Sequence, residues 1–164
     1  MFFLISIAGA APSDLPSGEC AAEEVVTIQS SGKELYETHC AGCHGSDGMG
    51  EKNFFPPLIA TPWVESPSAM TEVLFRGVSG TIYVNEERYA SYMSPYGQGL
   101  TDAEVFQLIA YVRTELNSYD PVDTWTEQTI TDLRTELKET QTIRGQKGLD
   151  SILSKPRSTQ SLPK

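Results

Sequence analysis

A helical domain with extra segments at both ends is what this sequence predicts, on three observations. Two capping boxes, Ser31-Gly32-Lys33-Glu34 and Thr101-Asp102-Ala103-Glu104, and a Ser66-Pro67 start each open a stretch with apolar residues at helical spacing. The 164 residues are 39% hydrophobic and 21% charged, which suits one globular domain with additions. An acidic, proline-bearing stretch precedes residue 30, and Asn117 and Pro121 end the regular pattern. The predicted divisions are an apolar segment at 1–11, a linker at 12–29, a helical domain at 30–117 and an extension at 118–164.

The ends carry separate expectations. Phe2 to Ala11 reads as the apolar region of a secretory signal, with Ala8-Gly9-Ala10 as a cleavage site, against a disordered apolar start. The Lys/Arg residues that open such a signal are missing, which leaves a truncated or misplaced start open. No run approaches the ~18–20 apolar residues of a membrane-spanning helix. Cys20, in the linker, is a lipid-bearing residue and thus a membrane tether, an unpaired thiol, or a partner in an intermolecular disulfide. Charge is uneven: residues 1–133 hold 5 Lys/Arg against 19 Asp/Glu, and residues 134–164 hold 7 against 3. Such an acidic core argues against nucleic-acid binding and for a basic or neutral protein partner.

The first helix, opened by Ser31, is predicted to run into Cys40-Ala41-Gly42-Cys43-His44, with Tyr36 on the face shared by Gly32 and Cys40. C-x-x-C-H is the pattern of covalent c-type haem attachment: two thiols reach two vinyl groups, and the adjacent imidazole meets the iron. The alternatives are a redox cysteine pair or half a zinc site. Zinc needs a second pair of ligands, and the chain holds one other cysteine and one other histidine. His39 reads as an exposed or partly packed histidine. Gly45, Gly48 and Gly50 loosen the chain into a loop.

Phe54-Phe55-Pro56-Pro57-Leu58 then turns back over the motif. A proline carbonyl there, Pro56 rather than Pro57, would accept from the second ring nitrogen of His44; otherwise the segment is an ordinary apolar turn. Ser66 caps the second helix, Met70, Val73 and Leu74 face inward, and Gly77 closes it. Thr81 to Tyr92 reads as irregular, and its tyrosines Tyr83, Tyr89 and Tyr92 are candidates to pack on a haem edge or bond a propionate. Met93, in Met93-Ser94-Pro95-Tyr96-Gly97, is the candidate sixth ligand; Met49, Met70 or an open position are the alternatives. The third helix carries Val105, Leu108, Ile109, Val112 and Leu116, flanked by Tyr111. One more helix is predicted near 127–141, followed beyond Arg144 by a flexible segment. This extension is a docking arm, a helix strapped on the core, or a solvated tail.

In order and spacing, Gly32-x-x-x-Tyr36-x-x-x-Cys40-x-x-Cys43-His44, Phe55-Pro56-Pro57-Leu58, Met93-Ser94-Pro95-Tyr96-Gly97 and Leu100-Thr101-Asp102-Ala103-Glu104 leading to Tyr111-Val112-Arg113 resemble the class I monohaem cytochromes c. The resemblance covers residues 30–117. It implies an all-α fold, a small helical bundle around one covalent haem, whose first and last helices cross near Gly32 and Tyr111. It also implies thioether links at Cys40 and Cys43 and axial ligation by His44 and Met93. The group with V-N-G-x-x-Y before the methionine, found in terminal oxidases and periplasmic dehydrogenases, is similar; here the segment is Val84-Asn85-Glu86-Glu87-Arg88-Tyr89, with Glu86 in the glycine's place.

The leading expectation is one-electron transfer in a bacterial respiratory chain, on the periplasmic side of the cytoplasmic membrane. The layout of acidic core and extensions resembles a subunit docked to a quinol-oxidising or oxidase complex, such as the cytochrome subunits of alternative complex III. A freely diffusing periplasmic carrier, and a haem enzyme or gas sensor with a labile Met93, are the other readings. The sequence offers no acid–base pair for the enzyme.

Overall fold

The computed structural model describes residues 30–155. The apolar segment 1–11, the linker 12–29 with Cys20, and residues 156–164 lie outside the described residues. The body is all-α, with a few two- and three-residue strands.

Helix α1 (Gly32–His39) is capped in both directions: Ser31 Oγ accepts from Glu34 N at 3.3 Å, and Glu34 Oε2 accepts from Ser31 N at 2.8 Å. The expected continuous helix is interrupted at Cys40 (φ −120°), and α2 (Ala41–His44) restarts with the motif on it. Short α3 (Pro62–Glu65) precedes α4 (Pro67–Arg76), which Ser66 caps by accepting from Ala69 N at 3.3 Å. Its buried face includes Ala69, Met70, Leu74 and Phe75.

Helix α5 (Asp102–Tyr111), capped by Thr101, packs across α1, and its last turns widen into a π-helical segment at Val112–Leu116. The crossing depends on Gly32, where an added Cβ would stand 2.2 Å from Gln107 O and 2.7 Å from Tyr111 Cβ. Asn117 then ties the end of the π-helical turn to the loop leading away from Pro56. Its Nδ2 donates to Leu58 O at 3.1 Å, and its Oδ1 accepts from Ala60 N at 2.8 Å.

Two segments differ from the sequence reading. The stretch 81–92, expected to be irregular, contains an antiparallel hairpin of β2 (Ile82–Val84) and β3 (Glu87–Tyr89), preceded by β1 (Val78–Ser79). Its two-residue turn is Asn85-Glu86, with φ 49° and 68°. This mirror-image turn normally carries Asn-Gly, so glutamate at the second position hides the hairpin in the sequence. Glu86→Gly is expected to stabilise the protein by about 0.5–1 kcal/mol, because relief of the left-handed strain outweighs the extra freedom of the unfolded chain. A higher urea midpoint at unchanged m-value would show it.

The second difference is the extension. Beyond Asn117 the chain does not leave the compact body: α6 (Glu127–Glu136) buries Ile130, β4 (Ile143–Arg144) pairs in parallel with β1, and α7 (Gly145–Leu153) buries Leu149 and Ile152. Residues 145–153 are therefore helical and packed, in place of the expected flexible segment. The Gly and Ser content that suggested mobility has a packing cause at Gly148, where a Cβ would lie 2.9 Å from Ile143 Cγ2. Arg134 fastens α6 through Asp102 at 2.6 Å and the carbonyls of Gly97 and Leu100, stacking 4.5 Å over the Phe75 ring. No helix among the described residues is long and apolar enough to cross a membrane.

Candidate functional site

The site is built around α2 and its N-cap residue Cys40, and Cys40, Cys43 and His44 all line one cleft. Tyr36 holds this turn from below. Its hydroxyl donates to Gly45 O at 2.6 Å, its ring lies 5.5 Å from that of Tyr111, and burial first, then nearby Cys40, keeps the phenol protonated far above its usual range. His44 is buried, and its Nδ1 donates to Pro56 O at 2.8 Å. Burial lowers its pKa, opposed in part by that bond, so the ring is neutral at pH 7 and Nε2 retains its lone pair.

The cleft has about 1140 Å³ of empty space, its solvent-open mouth included. Leu58, Trp63, Val64, Leu74, Ile82 and Leu108 contribute apolar wall. Met93 reaches it from a segment fixed by two backbone bonds, Met93 N to Val78 O at 2.9 Å and Val78 N to Met93 O at 3.0 Å. Of the other nominated residues, Pro56, Tyr89 and Tyr92 line the cleft, as does half-buried His39 at its edge. Tyr83 (53% exposed) and Met49 (60% exposed) do not. Met70 also touches the cleft from the buried face of α4, where its helical spacing predicts a core role. Sequence reading misses Val73, Ile82 and Leu149 as lining residues. For Leu149 the signal is short, Leu149, Ile152 and Leu153 at i, i+3 and i+4 in a nine-residue helix.

The thiols separate the readings of the motif. Burial first, then Cys43, pushes Cys40 up to about 12, so the free thiol is protonated at neutral pH and a poor thiolate for disulfide exchange. A redox cysteine pair needs the opposite, an exposed thiol of depressed pKa. Among the described residues no three His, Cys, Asp or Glu side chains gather as a metal site, so the zinc reading lacks its remaining ligands. What the donor set does fit is a flat apolar macrocycle carrying a metal: two thiols, a neutral imidazole with one nitrogen free, a thioether, and apolar walls.

Residues 29–115 match the family model described as cytochrome c. The chain is 29% identical over 111 residues to the cytochrome c subunit of the quinone alcohol dehydrogenase of Gluconacetobacter polyoxogenes, covering 66% of this chain and 23% of that protein. It is 32% identical over 91 residues to cytochrome c-552 of Thermus thermophilus, covering 52% of this chain and 68% of that one. Against the cbb3-type cytochrome c oxidase subunit FixP of Sinorhizobium medicae it is 32% identical over 85 residues, 51% of this chain and 28% of that subunit. The chain thus spans about a quarter of the length of the dehydrogenase and oxidase subunits that it matches.

Proposed function

This chain belongs to the cytochrome c family, and on that premise we propose that it carries single electrons on one haem c bonded through Cys40 and Cys43 and ligated by His44 and Met93. The family implies a covalently bound haem c and an electron-transfer role without catalysis by the chain itself. When bound, the haem supplies the ferrous–ferric couple.

The observation that carries the reading is the meeting of the two thiols, the imidazole and the thioether at a single apolar cleft. Each residue has a distinct task. Cys40 and Cys43 anchor the group at the cleft's edge. Pro56 O, by accepting a hydrogen bond from His44 Nδ1 at 2.8 Å, fixes the tautomer and ring orientation and raises the basicity of Nε2. Thr101 and Ser31, as caps of the crossing helices, keep the wall in place. The apolar lining excludes water, which favours the less charged ferrous form, as does the thioether. Tyr89, buried beside the cleft, packs on the edge of the group.

We further infer a place on the periplasmic side of the bacterial membrane, as a subunit docked to a quinol-oxidising or oxidase complex. Two things support it. Several relatives are themselves subunits of dehydrogenases and oxidases by name. The acidic body also suits a basic or neutral redox partner, with Tyr92 (60% exposed) and Phe54 (58% exposed) beside the cleft mouth as contact surface.

Spectra of the full-length holoprotein test the ligand set. The ferric form is expected to show the weak far-red band of sulfur ligation, and Met93→Ala is expected to lose it and to lower the reduction potential by on the order of 100 mV or more. A high-spin spectrum in the native protein would sink the electron-carrier assignment.

A further inference from the structure

We propose that Ile143 and Leu149 position Met93, so that the C-terminal extension is what holds the methionine side of the cleft closed; this rests on Met93 serving as the sulfur ligand. The backbone bonds of Met93 go to Val78 alone, through its N–H and C=O. Val78 in turn has its own support from the extension. It pairs in parallel register with Ile143, and Ile143 N donates to Gly77 O at 3.1 Å. Met93, Val78 and Ile143 therefore form three adjacent extended segments, with the extension on the outer edge.

Side chains repeat the arrangement. Met93 packs against both buried clusters, and the smaller of them, of eight members, includes Ile143, Leu149 and Ile152. Leu149 is 3% exposed and forms part of the cleft wall together with Val78, Ile82 and Met93. Among the described residues of the extension, Leu149 is the one that borders the cleft.

The segment is fastened at both ends. Gln146 N donates to Thr81 O at 3.0 Å, and Gln146 Oε1 accepts from Tyr83 N at 2.7 Å, which joins the start of α7 to the hairpin. Lys155 Nζ donates to Glu72 Oε2 at 2.8 Å, and Glu72, with its side chain 4% exposed, also pairs with Arg76, whose Nε donates to Gln141 O at 2.7 Å. A merely solvated tail has no reason to set the Lys155 ammonium on a carboxylate buried in α4, or the Gln141 carbonyl on the arginine beside that carboxylate.

The test uses the full-length holoprotein and carbon monoxide as the probe of an opening iron. Leu149→Ala is expected to weaken the ferric far-red band by at least half and to speed carbon monoxide binding to the ferrous form at least tenfold. Val105→Ala, a truncation at a fully buried position that does not line the cleft, controls for general loss of stability. If Val105→Ala at matched unfolding midpoint changes the band and the binding rate as much as Leu149→Ala, the positioning role is refuted. Met93→Ala separates the two readings: if it leaves the band intact, Met93 is not the ligand and the ligand assignment fails first.

Amide hydrogen exchange on the unaltered holoprotein gives a second reading independent of any variant's folding. Peptides spanning 90–95 and 142–149 are expected to open together, with protection within a factor of ten of each other. Rapid exchange at 142–149 beside a protected 90–95 would overturn the proposal.

Discussion

Serine at both Cys40 and Cys43 is expected to leave no haem on the polypeptide after acid–acetone extraction, where the unaltered protein retains all of it. A serine hydroxyl does not add to a vinyl group, and without the thioethers the group is held by the iron bonds and apolar contact alone, which acid and solvent remove. The single variants are expected to keep one link. The double variant also decides among the readings of the motif. A redox pair would form a disulfide on mild oxidation and carry no pigment, and Cys40, buried and pushed up to about 12, is ill suited to that chemistry. Haem that stays with the double variant through extraction would refute the attachment.

The second large effect is structural. Gly32→Ala is expected to destabilise the holoprotein by about 3 kcal/mol or more, at the upper end of overpacking effects. For a chain of this size that lowers the midpoint of thermal unfolding by roughly 10 °C. The added methyl would meet backbone, Gln107 O at 2.2 Å and Gln107 C at 2.9 Å, so no side chain can swing aside; α1 and α5 must part. Parting them moves Tyr36 and with it the anchor of the α2 turn. Gly42→Ala is the control: its Cβ would meet nothing within 4 Å, and a change within about 0.5 kcal/mol is expected by calorimetry.

The readable and unreadable parts of this chain divide by physical cause. Caps are local chemistry, so Ser31, Ser66 and Thr101 announce α1, α4 and α5 to within a residue. The cleft residues Cys40, Cys43 and His44 stand in a contiguous motif, and Met93 follows from a methionine placed by Pro and Gly rather than by a helix face. The hairpin at 82–89 escapes because each strand is three residues long and its turn lacks the usual glycine. The helix expected near 127–141 is α6, but the part of the extension beyond it escapes for a different reason. Its apolar residues, Ile143, Leu149 and Ile152, are spread thinly among polar ones. Their burial comes from partners such as Val78 and Ala69 that are distant in sequence, and no local pattern announces such contacts.

That distance also orders the folding of the molecule. The contacts behind His44 are short in sequence: Tyr36 to Gly45 spans 9 residues and His44 to Pro56 spans 12. The contacts behind Met93 reach across 65 residues from Arg76 to Gln141 and 83 from Glu72 to Lys155. Local contacts form with little loop-closure entropy, whereas the distant ones must wait for the chain between them to be ordered. The local contacts on the imidazole side are thus expected to form first, later locked by the α1–α5 crossing, and the thioether side last, when residues 141–155 return to it.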